Sequence, residues 1–212
     1  MFNNSYPRSI KSILNSLEKL PGIGPRSAER LALYIATNFN IDDYDEFIIA
    51  LNALRNGLRH CEVCNLIIDS EANTCSICKN ETREKKKVLL VGESKDVFRF
   101  EANNTYNGCY YVIGGLLDFS NGFTPDKLNL EGLFNIINRN NETELIIATD
   151  ATNLGELTAK YIKEIITNEQ KDRPSSSKVL ISRIASGLPV GTNFKYIDDK
   201  TLEKALDNRK KY

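Results

Sequence analysis

The sequence CEVCNLIIDSEANTCSIC, from Cys61 to Cys78, contains four of the five cysteines of the chain. They form two Cys-x-x-Cys pairs, and each pair places two thiols on one tight turn where both can reach a common ion. Four thiolates make a closed tetrahedral shell, which suits a structural Zn²⁺. We therefore expect Cys61, Cys64, Cys75 and Cys78 to bind one zinc ion in a compact finger. Two redox pairs or buried thiols are the alternative.

Two neighbouring features fit this interpretation without adding ligands. A complete set of four cysteines leaves His60 no coordination role, and Cys109 is expected to be a small buried apolar residue. Five unevenly placed cysteines do not suggest the disulfide scaffold of a secreted domain. The N-terminal residues lack the apolar segment of a secretory signal, and no apolar run approaches the roughly 18 to 20 residues of a membrane span. We expect a protein of the reducing cytoplasm.

The residues before the cysteines predict a helix, a glycine turn and a second helix. Apolar spacing predicts the first helix over residues 8–20, and the second follows Pro25. In the turn between them, Gly22 and Gly24 let the backbone approach a ligand closely, beside the free amides of the second helix. Arg26 and Arg30 lie four residues apart on one face of that helix. The arrangement suits a phosphodiester backbone bound without sequence preference.

The distribution of charge agrees with a DNA-binding N-terminal segment. The whole chain has 28 basic and 28 acidic residues, which excludes a histone-like polycation and an acidic solvating tail. Residues 1–40, however, hold five basic and two acidic side chains, a local net charge of +3: Arg8, Lys11, Lys19, Arg26 and Arg30 against Glu18 and Glu29. An ordinary helical hairpin with solvated arginines is the alternative.

A third helix is expected after residue 40. Its acidic start, Asp42, Asp43, Asp45 and Glu46, is typical of residues that stabilise the positive end of a helix. We expect these side chains to cap the helix rather than to bind a metal or a partner.

Beyond the cysteines, short strand-like runs alternate with helical patterns. The helical patterns cover residues 94–102, 126–139 and 155–167, and a surface loop is expected over 172–177. The expected strands are Val88–Val91, Tyr110–Ile113, Leu145–Thr149 and Lys178–Ile184. Such alternation predicts an α/β domain with a largely parallel sheet.

Acidic residues follow two of these strands. Glu93 follows the first strand, Asp150 follows the third, and Glu156 lies at the start of the next helix. The carboxyl ends of parallel strands are where α/β sheets bind ligands, so these carboxylates are a candidate weak Mg²⁺ or partner site. Mg²⁺-dependent phosphoryl transfer usually needs several converging carboxylates, and Thr152 supplies none. We expect no catalysis there.

The order of these segments resembles the RecR family of bacterial recombination mediators over nearly the whole chain. Leu20–Ala32 (LPGIGPRSAERLA) is similar to its helix-hairpin-helix motif, and the two cysteine pairs, followed by Arg83, are similar to its zinc finger. Val91–Ser94 (VGES) and Ile146–Ile162 (IIATDATNLGELTAKYI) look like its Toprim domain, and Arg183–Arg209 resembles its C-terminal segment. Each motif alone occurs in other DNA proteins, whereas their order and the last segment are specific.

The resemblance implies an α+β chain in four parts. A helical helix-hairpin-helix region is expected over residues 1–60, a four-cysteine zinc finger over 61–84, an α/β Toprim domain with a mostly parallel sheet over 85–187, and a C-terminal segment over 188–212 that contacts other subunits. The Toprim signature is an early Glu and a later Asp-x-Asp that bind Mg²⁺ in catalytic members. Glu93 and Asp150 match it and Thr152 departs from it, which implies a binding module. Residues 117–122 also depart, since family members usually carry a proline-containing turn there.

The resemblance further implies a non-enzymatic DNA-binding protein of recombinational repair. Such a protein acts with RecO and RecF to load recombinase on gapped or single-stranded DNA, forms dimers or a ring tetramer, and is cytoplasmic and nucleoid-associated. The alternative is a Toprim-type Mg²⁺-dependent nuclease or primase-like enzyme. A plain zinc-finger adaptor is a third possibility, although it would not need an α/β domain of about 120 residues.

Overall fold

The computed structural model describes residues 6–139, 143–171, 179–185, 187–188 and 191–209. The chain divides into two compact units, residues 1–57 and 58–212. The predicted loop over 172–177 and the first residue of the last predicted strand, Lys178, lie outside the described residues. No helix of the described part is long and apolar enough to cross a membrane.

The first unit is helical. Its helices are α1 (Arg8–Leu17), α2 (Pro25–Asn38) and α3 (Ile41–Asn56). Helices α1 and α2 pack through a small core in which Leu14, Ala28 and Ala32 are fully buried. Helix α1 ends three residues before the predicted position, because the backbone amide of Leu20 bonds the carbonyl of Leu17 at 3.1 Å and turns the chain into the hairpin. Leu20 is consequently half exposed.

Helix α3 begins as its acidic residues predict. The side chain of Asn40 accepts from the amide of Asp43, and the carboxylate of Asp43 accepts from the amide of Asn40, both at 2.9 Å. This reciprocal capping box satisfies two amides that the helix leaves without partners. Every residue of α3 is exposed, including its large apolar residues, so the helix presents apolar side chains on all sides.

The second unit begins with the cysteine segment and continues as an α/β layer structure. The cysteine segment contains β1 (Leu58–His60), antiparallel to β2 (Ile67–Asp69), and the short helix α4 (Ser76–Lys79). The remaining elements are β3 (Glu84–Val91), α5 (Ser94–Ala102), β4 (Gly108–Val112), α6 (Glu131–Arg139), β5 (Glu144–Ile147), α7 (Asn153–Glu169), β6 (Leu180–Arg183) and α8 (Asp199–Asp207).

The four-stranded sheet is parallel throughout, with the order β4-β3-β5-β6. This confirms the predicted α/β domain with a parallel sheet. Alternate residues of β3 pack on opposite faces of the sheet. Val88 and Leu90 pack in one core with Ile162 and Ile166 of α7. Leu89 and Val91 pack in a second core that contains three of the cysteines. The cysteine segment therefore covers one face of the sheet.

Two helices begin at residues other than the predicted ones, and hydrogen bonds explain both differences. Helix α6 begins at Glu131 rather than 126, because the amide of Asn129 bonds the carbonyl of Ile113 at 2.9 Å and keeps the chain extended there. Helix α7 begins two residues early, since Thr152 caps it. In the segment that departs from the family pattern, the carboxylate of Asp118 accepts from two following amides and holds a 3-10 turn, Phe119–Asn121, without proline.

Candidate metal centre and nucleic-acid interface

The four cysteines of the two Cys-x-x-Cys pairs converge on one point. The sulfur atoms of Cys61, Cys64, Cys75 and Cys78 all lie within 4.8 Å of one another, and three of the four residues are buried. A tetrahedron with Zn–S bonds of about 2.3 Å has edges of about 3.8 Å, and the sulfurs of Cys64 and Cys75 are 3.6 Å apart. The group can hold a metal ion as a closed four-sulfur site.

Backbone hydrogen bonds hold the two Cys-x-x-Cys turns in the conformation that brings the sulfurs together. Asn65 adopts a left-handed conformation (φ 61°) and bonds the carbonyl of Cys61 at 2.9 Å, which closes the first turn. The amide of Cys75 donates to the sulfur of Cys61 and the amide of Cys78 donates to the sulfur of Cys75, both at 3.3 Å. Hydrogen bonds from Cys64, Cys78 and the amide of Cys78 lower the pKa of Cys75, whereas hydrogen bonds with Cys75 and Cys78, together with burial, raise the pKa of Cys64.

His60 and Cys109 both lie outside the group of four cysteines, although Cys109 is only partly buried and not fully buried as expected. His60 is exposed, and its Nδ1 lies 3.0 Å from the carbonyl of Asn65, a bond that steadies the same turn. Cys109 is half buried in β4, and burial raises the pKa of its thiol. Neither is a ligand by position.

The cysteine segment is joined to the sheet by specific hydrogen bonds. The amide of Val112 donates to the carbonyl of Cys64 at 2.9 Å, and the side-chain amide of Asn65 donates to the carbonyl of Val112 at 2.8 Å. The hydroxyl of Ser94, at the start of α5, accepts from the amide of Ile67 at 3.1 Å. The group of four cysteines is thus part of the same folded unit as the sheet.

A partly buried charged cluster around Arg83 was missed by sequence reasoning. Arg83 forms an ion pair with Glu101 and also donates to the carbonyl of Gly108 at 3.1 Å. The hydroxyl of Tyr110 donates to Glu101 at 2.6 Å. Burial acts to raise the pKa of Glu101, but hydrogen bonds from Arg83 and Tyr110 outweigh it and lower that pKa. A lone Arg in a basic run gives no sequence signal for a partner 18 residues away.

The glycine hairpin of the first unit keeps its predicted DNA-binding residues accessible. Gly22 has φ +82°, the left-handed region that favours glycine, whereas Gly24 is extended and starts α2. A side chain at Gly24 would meet no atom within 4 Å, so packing inside the unit does not require glycine there. Arg26 and Arg30 are exposed, and neither forms an ion pair within the described part of the chain. The hairpin leaves open space beside two free guanidinium groups.

Two of the three predicted acidic residues come together at the carboxyl end of the sheet. Glu93 and Asp150 line a cavity of about 10 Å³. Asp96 lines it as well, a residue that the sequence analysis missed although its spacing from Glu93 suits a capping box. Burial, and then the charge of Asp150, raise the pKa of Asp96. Lys95 pairs with Glu93 at 2.7 Å, so a cation of the protein already contacts this group.

The third acidic residue, Glu156, is held elsewhere. Its carboxylate accepts from Lys204 of α8 at 3.2 Å and from Arg183 of β6 at 3.5 Å. Burial acts to raise the pKa of Glu156, and the two cations lower it. Thr152, which stands in place of the second Asp of the Toprim pattern, accepts from the amide of Gly155 at 3.1 Å as the cap of α7.

Three family profiles match the chain in the predicted order. They are described as "RecR, helix-hairpin-helix" over residues 10–38, "Toprim domain" over 86–185 and "RecR, C-terminal" over 187–210. The protein named "Recombination protein RecR" of Lactococcus lactis subsp. cremoris (strain MG1363) is 38% identical over 204 residues, which is 96% of this chain and 98% of its own length. The proteins of the same name in Streptococcus thermophilus and Streptococcus sanguinis (strain SK36) are 39% and 38% identical over the same shares.

The chain belongs to the RecR family. The resemblance drawn from the motifs is therefore confirmed, and the chain is a recombination protein with helix-hairpin-helix and Toprim domains. The matched ranges contain the glycine hairpin and the acidic residues of the sheet. The cysteines, at residues 61–78, lie between the first two matched ranges, so the case for a metal there depends on their geometry.

Proposed function

We propose that this chain is a non-enzymatic recombination mediator that binds DNA without sequence preference through its glycine hairpin. The observation that carries the proposal is the hairpin itself: an open backbone at Gly22 and Gly24 beside the exposed Arg26 and Arg30. Free amides at the start of a helix and two guanidinium groups are suited to phosphate oxygens, which every DNA sequence presents.

The mediator acts with RecO and RecF to load recombinase on gapped or single-stranded DNA. The name of the relatives supports a role in recombination, and the partnership with RecO and RecF is what the resemblance to the family implies. Reconstitution tests it: recombinase should assemble on gapped DNA coated with single-strand binding protein only when RecO, RecF and this chain are all present. Assembly at the same rate without the chain would contradict the mediator role.

DNA binding is tested with Arg26→Ala/Arg30→Ala. A control that also removes two exposed positive charges is Arg99→Ala/Lys163→Ala, on α5 and α7. The hairpin variant should weaken binding to all sequences alike and flatten its salt dependence, because each lost phosphate contact reduces counterion release. Normal affinity in the folded hairpin variant at moderate salt would move the DNA surface elsewhere.

The metal of the four-cysteine group is proposed to be a structural Zn²⁺. Cys61, Cys64, Cys75 and Cys78 would be its ligands, and zinc would hold the two turns against the sheet without an open position for a substrate. The support is the set of donor atoms: four neighbouring sulfurs, three of which belong to buried cysteines. Backbone amides donate hydrogen bonds to two of these sulfurs.

We propose that the chain has no catalytic activity, because too few acidic residues are available to hold two metal ions. Two-metal phosphoryl transfer needs anionic ligands to hold both ions. Thr152 offers a neutral oxygen that already caps α7, and Glu156 is held by Arg183 and Lys204. Glu93, Asp96 and Asp150 line one small cavity, but these three carboxylates do not form a metal-holding group like that of the cysteines in the described part of the chain, so a cation of a partner is the better candidate ligand.

The placement of Glu93, Asp96 and Asp150 around one cavity is what favours the rival function, a Mg²⁺-dependent nuclease or primase-like enzyme. The deciding assay incubates the protein with supercoiled, single-stranded and gapped DNA and with Mg²⁺ or Mn²⁺. We expect no turnover. Nicking or synthesis that disappears in Glu93→Gln would establish the enzyme instead.

The proposed assembly is a homo-oligomer, a dimer or a ring tetramer. The support is α3, whose large apolar side chains are exposed in the single chain: Ile41, Phe47, Ile48, Ile49, Leu51 and Leu54. A contiguous apolar surface of this kind marks a contact with another protein surface. Gathering several basic N-terminal units would also concentrate positive charge around DNA.

We also propose the division of the chain into four parts, with boundaries after residues 60, 84 and 187. The compact units of the structure have their own boundary after residue 57.

A further inference from the structure

The second unit contains a cavity of about 570 Å³ that the proposed DNA and metal sites do not use. It lies at the carboxyl ends of β5 and β6, the edge of a parallel sheet where α/β folds bind ligands. Its volume falls in the usual range of small-molecule sites, about 300 to 1,000 Å³. The first turns of two helices line it, through Asn153 of α7 and Lys200 and Thr201 of α8.

The lining of the cavity is cationic. It contains Arg183, Lys200 and Lys204 against one acid, Asp198. The carboxylate of Asp198 is engaged in capping α8, where it accepts from the amide of Thr201 at 3.0 Å. Each helix start adds the equivalent of about half a positive charge. The cavity therefore presents an excess of positive charge to a ligand.

Arg183 is fixed in place by three contacts, which leave two of the five N–H groups of its guanidinium without a partner in the described structure. Its guanidinium donates to the carbonyls of Ile147 and Asp150 at 3.0 and 3.3 Å and contacts Glu156. Its Nε is buried and has no hydrogen-bond partner in the described structure. A buried N–H without a partner costs free energy. This nitrogen is closed off from solvent, so Arg183 would meet a ligand in the cavity through the terminal nitrogens of its guanidinium.

The positive charges are more numerous than the internal contacts require. Lys204 and Arg183 both hold Glu156, and these contacts join α8 to α7 and β6. Lys200 lines the same cavity, is exposed, and forms no ion pair within the described residues. Structural pairing with Glu156 therefore accounts for two of the three cations and leaves Lys200 available to a ligand.

We propose that this cavity binds a phosphate monoester, the 5′-phosphate of a nucleotide that is either free or at the end of a DNA strand. A phosphate monoester carries about −1.5 to −2 charges near neutral pH, which complements three cations and two helix starts set against Asp198 and Glu156. The guanidinium of Arg183 and the amine of Lys200 contact the phosphate oxygens. The DNA-end form of the proposal rests on the proposed function, whereas the free nucleotide does not.

The test compares dAMP with deoxyadenosine by calorimetric titration of the full chain. We expect dAMP to bind and deoxyadenosine to bind at least tenfold more weakly, since a hydrogen bond to a charged group is worth about a factor of ten or more. Lys200→Glu should weaken dAMP binding about tenfold or more. Lys195→Glu makes the same charge change in the same segment outside the cavity and should bind dAMP as the wild type does.

A second arm separates the two sources of the phosphate. Gapped DNA is prepared with either a 5′-phosphate or a 5′-hydroxyl at the margin of the gap. A preference for the phosphate that Lys200→Glu removes assigns the site to DNA ends; dAMP binding without that preference assigns it to free nucleotides. No discrimination by either probe, or an unchanged Lys200→Glu, overturns the proposal. Arg26→Ala/Arg30→Ala should keep dAMP binding, so a failure of the hairpin proposal would be seen separately.

Discussion

The backbone amide of Val112 donates to the carbonyl of Cys64 across 2.9 Å, so the last residue of β4 is bonded directly to the first Cys-x-x-Cys turn. Val112 and Cys64 also share one apolar core, with Leu89, Val91 and Tyr110. The cysteine segment is consequently part of the hydrophobic covering of the sheet rather than an appendage. Removing the metal should affect the stability of the whole second unit.

We expect about one zinc per chain by metal analysis, and a loss of stability when ligands are removed. Cys61→Ser/Cys64→Ser should lower the free energy of unfolding by several kcal/mol, because metal binding and ordering of the two turns are one process. The measurement is thermal unfolding followed with and without chelator. Cys109→Ser, outside the ligand group, is the control and should bind zinc normally. A double variant with unchanged stability would exclude a structural metal.

Removing one partner of the Arg83–Glu101 pair should destabilise the unit more than removing one partner of an exposed pair of the same chemistry. The side chain of Arg83 is 13% exposed and that of Glu101 26%. Arg83→Ala leaves Glu101 partly buried with one partner fewer, which should cost about 2 to 3 kcal/mol in urea unfolding. Arg59→Ala is the matched control, since its pair with Glu62 is largely exposed and should contribute less than about 1 kcal/mol. Equal effects of the two variants would contradict this ranking.

The same cluster should make stability depend on pH in the acid range. The pKa of Glu101 is lowered in the folded chain, because Arg83 and Tyr110 outweigh the effect of burial. A carboxyl with a lowered folded pKa stabilises the fold above its unfolded pKa, about 4.3, and loses that contribution as the pH falls through the folded pKa. The stability difference between wild type and Glu101→Gln should therefore be largest at neutral pH and shrink below about pH 4. A difference that grows on acidification would reverse the sign of the shift.

Helix α3 should carry the contact between copies of the chain. Leu51 and Leu54 lie on neighbouring turns and are 51% and 60% exposed, so Leu51→Glu/Leu54→Glu should leave the single chain folded. It should lower the native mass, measured by light scattering, toward that of one chain, because charges in an apolar contact must be desolvated. Lys163→Glu on α7 adds the same kind of charge elsewhere and should keep the assembly. An unchanged mass in the α3 variant would place the contact elsewhere.

Local sequence patterns predicted many of the helices and strands, but they could not predict which residues distant in sequence form ion pairs. Helix α5 and the second half of strand β3, Val88–Val91, follow directly from apolar periodicity, whereas the charged first half of β3 from Glu84 does not. The cysteine spacing predicted a convergence that the sulfur positions bear out. The partners of Glu156, by contrast, come from β6 and from α8, where Lys204 lies 48 residues away in sequence. Sequence alone could not show that the carboxylate of Glu156 binds these two cations and lies apart from Glu93 and Asp150, because that depends on how α8 packs.

The two glycines of the hairpin should respond differently to alanine. Gly22 has φ +82°, so Gly22→Ala should cost about 1 kcal/mol of stability in the first unit from backbone strain alone. Gly24 is extended with open space around it, so Gly24→Ala should cost only about 0.5 kcal/mol, the usual loss at the start of a helix. If DNA phosphates approach the backbone there, the new methyl group will nevertheless weaken DNA binding severalfold. Gly24→Ala with normal stability and normal affinity would show that the phosphate does not contact this part of the hairpin.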